Sequence, residues 1–359
     1  MLRLNTDITV DTVRIYGRDA IDLAVNISNL VWPDSKVFWK PGAVVLLSLN
    51  RWQDAVAGVP LQHFPNNAAL LGTEAGRLSN QTRDEILRLR PTGLRPQGEV
   101  LPAQVYIVGN ISRAVERSIR GLGYRPQLIA GDNPAETAAR VARLMAEQMP
   151  NPPIILVPVD APADSQPVVG LASHGGSPIL FVERNQIPVA TVQALSDIRP
   201  SNVYIMGRDG SISTSVMAQV QEILPAAKIM RIGGDTITDY SINMAKFLDP
   251  DRSFGWGRTN AAGDVFTFVA EERIYQSIFA ATLSHLATHA PEIIIPAQCP
   301  IPETLRQYLI SINPAMEHPP QPPFMRGWII GTTRDISIQQ QIALESLLIK
   351  EQGDWPPEH

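Results

Sequence analysis

The feature that most constrains the fold is a short apolar strand that ends on a glycine and occurs three times. The copies are residues 105–109, 203–207 and 327–331, which read Val-Tyr-Ile-Val-Gly, Val-Tyr-Ile-Met-Gly and Gly-Trp-Ile-Ile-Gly. A polar turn and a helical pattern follow each glycine, so each copy predicts a buried strand that turns sharply into a helix. The recurrence, from 109 to 207 and from 207 to 331, indicates an internal repeat.

Other landmarks recur in the same order around these strands. Each unit opens on a strand that ends at a glycine, and these openings are residues 14–17, 128–131 and 231–234. A helix follows (22–30, 135–148 and 238–248), then a strand (44–47, 154–157 and 265–268), a helix of small residues, and a second strand (68–71, 178–181 and 293–295). This alternation predicts an α/β fold of three tandem Rossmann-like or flavodoxin-like modules, each a parallel sheet flanked by helices.

The length of the chain agrees with several modules. At 359 residues it exceeds what one hydrophobic core usually holds. The repeat predicts an N-terminal lead-in over 1–12, modules over 13–127, 128–230 and 231–350, and a tail over 351–359.

Composition excludes several classes of protein. Hydrophobic residues make up 44% of the chain and charged residues 18%, which is typical of a globular protein. A net charge of −5 without a run of basic residues argues against nucleic acid as a partner. The single cysteine, Cys299, excludes an internal disulfide framework and a multi-thiolate metal site. The first seven residues contain no apolar segment, so no secretory signal is expected in this chain, and no apolar run is long enough to predict a transmembrane segment.

The order of these elements resembles the type 2 cell-wall-binding repeat, which occurs as three tandem copies in surface proteins of Gram-positive bacteria. The resemblance covers about 13–350. Its motifs match at the openings Arg14/Ile15/Gly17, Ile129/Gly131/Thr137/Ala138 and Arg231/Ile232/Gly234, at Asp54-Ala55 and Asp164-Ser165, and at Ser177-Pro178-Ile179-Leu180 with Ile187-Pro188.

The sequence departs from the family at three kinds of position. The Arg-Tyr pair of the opening is absent from all three units. The second glycine after the landmark strand is replaced by Asn110, Arg208 and Thr332, and the aspartate of the Asp-Ala element is Gln276 in the third unit. These changes affect positions expected to contact ligand more than positions that define the fold.

The resemblance implies three modules packed as a pseudo-threefold and attachment to an anionic envelope polymer, or to a surface protein, through clefts between modules. The cell surface is the implied location, with the cytoplasm as the alternative because no signal is present. Ligands of parallel α/β sheets gather beyond the carboxyl ends of the strands, and an arginine lies in four of the turns expected there. Arg18, Arg113, Arg208 and Arg334 are therefore the candidate anion-binding residues. The alternative is that they cap helices, pair with neighbouring acids such as Asp209 and Asp335, or are simply solvated.

Other residues that could carry chemistry are better explained structurally. His285 and His289 have a metal-ligand spacing but no third ligand nearby, and Ser173 and His174 lack the Gly-x-Ser-x-Gly elbow of a nucleophile. Asp160 and Asp164 could act as paired carboxylates, but they are expected to cap the helix that starts there. Three tryptophans could serve as carbohydrate platforms: Trp32, Trp39 and Trp256.

The sequence therefore predicts a non-enzymatic protein. No Walker-type motif and no Gly-x-Gly-x-x-Gly is present, so no cofactor is expected, and no residue set predicts a metal site. Two other hypotheses stay open, namely a self-assembling scaffold without a polymer ligand, and a doubly wound enzyme that handles a sugar phosphate or nucleotide sugar. The oligomeric state is not predicted.

Overall fold

The computed structural model describes residues 6–8, 11–33, 40–63, 65–259, 265–312 and 325–348. The strands in these ranges are β1 Thr6–Ile8, β2 Thr12–Ile15, β3 Val44–Ser48, β4 Ala69–Thr73, β5 Val105–Val108, β6 Pro126–Ile129, β7 Ile154–Pro158, β8 Ile179–Val182, β9 Asn202–Met206, β10 Lys228–Ile232, β11 Val265–Ala270, β12 Glu292–Ile295 and β13 Arg326–Ile330. The α-helices are α1 Ala20–Val31, α2 Trp52–Gly58, α3 Asn80–Leu89, α4 Arg113–Gly121, α5 Pro134–Gln148, α6 Pro162–Gly175, α7 Val189–Ile198, α8 Thr214–Ile223, α9 Ile237–Lys246, α10 Ile274–Thr282, α11 Glu303–Ser311 and α12 Ile338–Leu348.

The described strands form three sheets, which confirms the predicted α/β architecture. Sheet 1 has the strand order β4-β3-β5-β6, sheet 2 has β8-β7-β9-β10, and sheet 3 has β12-β11-β13-β2-β1. All pairings are parallel except that of β1 with β2. Four inner strands, β3, β5, β7 and β11, are buried along their whole length because helices cover both faces, which is why they appear in the sequence as continuous apolar runs.

The opening strand of each sequence unit does not join the sheet of its own unit. Strand β6 pairs with β5, β10 pairs with β9, and β2 pairs with β13. In each case the opening strand lies beside the landmark strand of the preceding unit, so the sheets are offset by one strand from the units 13–127, 128–230 and 231–350. The boundaries of the sequence repeat stay a prediction, whereas the exchange of strands is a property of the fold.

This exchange closes the three sheets into a ring. The helix after each opening strand packs on the following sheet, α1 against β4, α5 against β8 and α9 against β12. Each unit therefore bridges two sheets. Because β2 lies near the N-terminus and β13 near the C-terminus, their pairing joins the first unit to the last.

Three helices, α2, α6 and α10, pack against one another at the centre of this ring and are called the central helices below. Hydrogen bonds join each central helix to the end of the strand that precedes the next one, and together they form a cycle. Gln53 Nε2 donates to the carbonyl of Val159 at 3.1 Å, Gln166 Nε2 to Ala270 at 3.0 Å, and the Tyr275 hydroxyl to Leu49 at 2.8 Å. The bonds run from unit one to two, from two to three, and from three to one, as expected of a pseudo-threefold arrangement.

None of the described helices is long and apolar enough to cross a membrane.

Candidate functional site

The landmark glycines lie directly over the first turns of the central helices. A Cβ added to Gly109 would lie 2.7 Å from Asp54 Cβ, and one added to Gly331 would lie 2.8 Å from Gln276 Oε1. Both glycines also have a positive φ, of 107° and 102°, which a residue with a side chain rarely adopts. Gly109 and Gly331 are therefore required by the close approach of their landmark strands to a central helix, whereas Gly207 lies nearest to Ser211.

The backbone N–H of the residue after each landmark glycine donates a hydrogen bond to a buried carboxylate. Asp54 accepts the N–H of Asn110 at 3.0 Å, and Asp164 accepts that of Arg208 at 3.2 Å. In the third unit Gln276 occupies the aspartate position, and Asp335 supplies the carboxylate by accepting the N–H of Thr332 at 2.9 Å. The departure from the family at Gln276 is thus compensated by a residue from another part of the chain.

Each of the three carboxylates is paired with an arginine. Arg51 binds Asp54 through two nitrogens at 2.7 and 2.8 Å. Arg208 Nε lies 2.5 Å from Asp164, and Arg273 Nε lies 2.7 Å from Asp335. Arg51 and Arg273 directly precede their helices, whereas Arg208 comes from the turn after β9 because the corresponding position of the second unit is Ala161.

A cleft of about 630 Å³ opens at the carboxyl edge of sheet 3. Its walls are the turn from β2 to α1, the start of α10, and the turn after β13. The lining residues used below are Arg18, Asp19, Glu272, Arg273, Thr332, Arg334 and Asp335. The pairing of β2 with β13 places the first and third of these segments side by side.

Arg18 is on the solvent side of the cleft. Its side chain is 76% exposed, and its Nε lies 3.1 Å from the carboxylate of Asp22 in the first turn of α1. Burial alone would raise the pKa of Asp22, but hydrogen bonds from Arg18 and Gln81 outweigh it and hold that pKa below its usual value. The exposed guanidinium retains donor capacity toward the cleft, because it has five N–H groups.

Arg334 is the arginine of the cleft without a carboxylate partner among the described residues. Its side chain is exposed, while its backbone N–H donates to Thr332 Oγ1 at 3.2 Å. Asp335 pairs with Arg273 instead of with Arg334, which corrects the alternative drawn from the sequence. Burial raises the pKa of Asp335, but Arg273 and Thr332 outweigh that effect and lower it overall.

The carboxylates that line the cleft are mostly engaged in structure. Asp19 accepts the N–H of Asp22 at 2.8 Å and so caps α1, and Asp335 is held by Arg273 and Thr332. Glu272 is exposed and donates its backbone N–H to Gln166. Two of the carboxylates that line the cleft, Asp19 and Asp335, are therefore committed to hydrogen bonds within the protein.

The other two predicted arginines lie outside the cleft. Arg113 begins α4 and binds Glu116 at 3.1 Å, with its side chain 76% exposed. Arg208 binds Asp164 and approaches Glu271 at 3.8 Å, so it does not pair with the neighbouring Asp209 that the sequence suggested. Of the four candidates, the structure brings together Arg18 and Arg334.

The positions equivalent to the cleft are bridged by side chains at the other two sheets. At sheet 1, Arg51 reaches from α2 to the carbonyls of Gly131 and Asp132 at 3.5 Å. At sheet 2, Asp209 lies against Gly233, and its backbone N–H donates to the carbonyl of Gly234 at 3.0 Å. The pseudo-threefold of the fold is therefore broken at this edge.

The remaining candidates from the sequence have structural roles. Ser173 donates to Gln62 at 2.6 Å, so it is not paired with His174 as a nucleophile would be. No group of described residues has the geometry to hold a metal ion, which includes His285 and His289. Trp32 and Trp256 are buried and offer no carbohydrate platform, and Trp39 is outside the described residues.

The expected capping by Asp160 and Asp164 is wrong. Helix α6 begins at Pro162 after Ala161, without a side-chain cap. Asp164 instead turns to the amide and guanidinium of Arg208, because a fully buried carboxylate is better satisfied by a charged partner than by its own helix. Sequence reasoning also missed Arg51 and Arg273, although both lie three residues before the residue at the Asp-Ala position, and that spacing could have identified them.

The family comparison matches the resemblance seen in the sequence. Residues 129–217 match the family described as cell wall binding domain 2. A segment of 242 residues is 30% identical to the N-acetylmuramoyl-L-alanine amidase LytC of Bacillus subtilis, over 66% of this chain and 43% of that protein. A segment of 240 residues is 25% identical to the amidase enhancer of the same organism, over 66% of this chain and 30% of that protein.

Two solved structures share the fold. Cwp6 from Clostridium difficile superposes with a TM-score of 0.75 at 20% identity, over 96% of this chain and 48% of that chain. Cwp8 from the same organism gives a TM-score of 0.72 at 18% identity, over 95% and 53%. This chain spans less than half the length of the curated relatives and about half of the two solved chains.

Proposed function

Because residues 129–217 match the cell wall binding domain 2 family and all three sheets repeat one architecture, we propose that this chain is a non-catalytic wall-attachment unit at the cell surface. The ligand is an anionic polymer of the envelope, and it binds in the cleft of sheet 3. The observation that carries this proposal is the convergence of Arg18 and Arg334 at a cleft of about 630 Å³. Arginine is suited to phosphate and carboxylate groups because its planar fork donates two parallel hydrogen bonds.

Two further features of the cleft favour an anion. Helix α1 begins at Ala20 and helix α10 begins at Ile274, and both starts line the cleft. The free N–H groups and partial positive charge at a helix start attract negative groups. Thr332 and Thr333 add hydroxyl groups to the same wall. The site is open to solvent, so an extended polymer can enter it without a large movement of the protein.

The test is sedimentation of the purified protein with cell walls of the source organism, before and after removal of their anionic secondary polymers, across a salt series. We expect retention that needs the polymer and decreases with salt, because exposed charges are screened. The double variant Arg18→Gln/Arg334→Gln should bind about 5- to 30-fold more weakly, since each of the two exposed charge-assisted contacts contributes about 0.5–1 kcal/mol.

Arg113→Gln is the matched control. Arg113 and Arg18 have the same side-chain exposure of 76% and the same distance of 3.1 Å to a nearby carboxylate, but Arg113 lies outside the cleft. This control should bind as the wild type does. Equal weakening in the control and the double variant would place binding elsewhere. Retention on walls without the polymer would contradict an anionic ligand and favour a surface protein as partner.

A further inference from the structure

Four of the six histidines of the chain meet where the central helices end. His63 follows the 3₁₀ turn Val59–Gln62 that continues α2, His174 lies in the last turn of α6, and His285 lies in a π-helical turn after α10. The spacing between consecutive members of this set is the same: 111 positions separate His63 from His174, and 111 separate His174 from His285. Each unit of the repeat thus contributes one imidazole at the same place, and His289 adds a fourth.

The four rings contact one another in two pairs. The rings of His63 and His285 lie 4.7 Å apart between centroids. Those of His174 and His289 lie 5.1 Å apart, and their Nδ1 atoms are 3.1 Å apart. Trp256 stacks on His174 at 4.3 Å and covers that pair. Because the members of each pair come from different central helices or the segments that follow them, the cluster spans the interfaces between units.

The surroundings of the four imidazoles disfavour their protonated, charged form. Neither ring nitrogen of His285 has a hydrogen-bond partner within the part of the chain that the structure describes. The Nδ1 atoms of His174 and His289 can share a hydrogen bond only while one of them keeps its lone pair. Burial first, and then the neighbouring imidazoles, lower the pKa of His174 to about 4 and that of His285 to about 3.

The groups around the cluster do not neutralise positive charge on the imidazoles. Arg258 donates to the carbonyl of His289 at 2.9 Å and places a positive charge next to the cluster. From β12, Glu292 packs against Gly170 beside Ser284, and burial raises its pKa well above the usual value, which favours its neutral form at this interface. The carboxyl ends of the central helices favour one positive charge, but a second proton on a neighbouring ring is repelled by the first across a few ångströms.

We propose that these four histidines form an acid-sensitive joint between the units. When neutral, the imidazoles pack the ends of the central helices together. When more than one is protonated, their charges push the ends apart and weaken the packing of the ring. The device is independent of the polymer cleft, because it lies at the opposite ends of the central helices.

The sign of the pH dependence follows from the lowered pKa values. A histidine that binds its proton less readily in the folded than in the unfolded protein contributes stability that is complete above about pH 6.5 and is lost as pH falls towards 4. Each such group changes the ratio of folded to unfolded protein by up to about tenfold per pH unit in that window. With His174 and His285 together, the ratio should fall by up to about 100-fold per unit.

Urea unfolding of the full chain at steps between pH 7.5 and 4.5 tests the joint. We expect the wild type to lose stability steeply below pH 6.5, and the variant His174→Gln/His285→Gln to lose it with a slope smaller by about two protons. Equal slopes in the two proteins would overturn the proposal.

A second measurement needs no variant. Deuterium exchange at the imidazole C2 position, followed by mass spectrometry of the wild-type protein, reports the titration midpoint of each histidine. We expect midpoints below pH 5 for His174 and His285 in the native protein and near 6.5 in urea. Native midpoints near 6.5 for both would contradict the joint, whatever the stability of the variant.

Discussion

Arg14 is expected to hold the ring of sheets closed. It lies on β2 with no exposed surface. Its Nε donates to Gln341 Oε1 and its Nη1 to the carbonyl of Gly331, both at 3.0 Å, while Gln341 donates back to Thr12 on the same strand at 3.0 Å. These bonds tie the first parallel strand of the chain to the last strand and the last helix.

The variant Arg14→Met keeps the apolar stem of the side chain and removes its donors. Each lost hydrogen bond from a charged donor is worth about 1.5–3 kcal/mol, and two buried acceptors are left without a partner. Part of this loss is recovered because a buried guanidinium no longer has to be desolvated. We therefore expect the free energy of unfolding to fall by about 2–4 kcal/mol.

Urea unfolding at pH 7 measures this change, and Arg231→Met is the matched control. Arg231 is at the same position of the third unit, on the opening strand β10, but it is partly exposed and donates to the carbonyl of Ile212 at 2.7 Å. Its loss should cost about 1 kcal/mol. The reasoning fails if Arg14→Met costs under about 0.5 kcal/mol, or no more than the control does.

Two other variants test the contacts beneath the landmark strands. Gly109→Ala should lower the free energy of unfolding by about 1–3 kcal/mol because its φ is positive and Asp54 leaves no room, whereas Gly76→Ala, in open space, should be close to neutral. Thermal and urea unfolding would show the difference, and equal effects would refute the steric argument. Asp54→Asn should cost about 2–4 kcal/mol because Arg51 loses the charge that compensates it, while Glu74→Gln at an exposed ion pair should cost under about 0.5 kcal/mol. A small loss at both sites would show that the buried pair adds no more than a surface one.

The elements themselves could be predicted from the sequence with few errors. The strands predicted at 44–47, 154–157 and 265–268 are observed at Val44–Ser48, Ile154–Pro158 and Val265–Ala270. These strands are buried on both faces, so their apolar runs do not depend on which neighbour they pair with. A pattern that each strand carries by itself is visible without knowledge of the partner.

The candidate site could be predicted only in part. Arg18 and Arg334 could be proposed as anion-binding residues because turns after parallel strands collect at one sheet edge. That they share a cleft, while Arg113 and Arg208 do not, depends on the pairing of β2 with β13, which places the turns after these two strands side by side. The carboxylate that Asp335 supplies in place of the one missing at Gln276 could not be predicted either, since it comes from a residue distant in sequence.

What the sequence by itself determined is the repeat, the order of strands and helices, and the glycine at the end of each landmark strand. What only the tertiary structure decided is which sheet each opening strand joins, which arginines meet, and where three histidines spaced by 111 residues come together. The physical reason is that local patterns reflect burial and backbone conformation, which each segment carries alone. Strand pairing and the pairing of charges are decided between segments far apart in sequence, such as Arg14 and Gly331, whose hydrogen bond spans 317 positions.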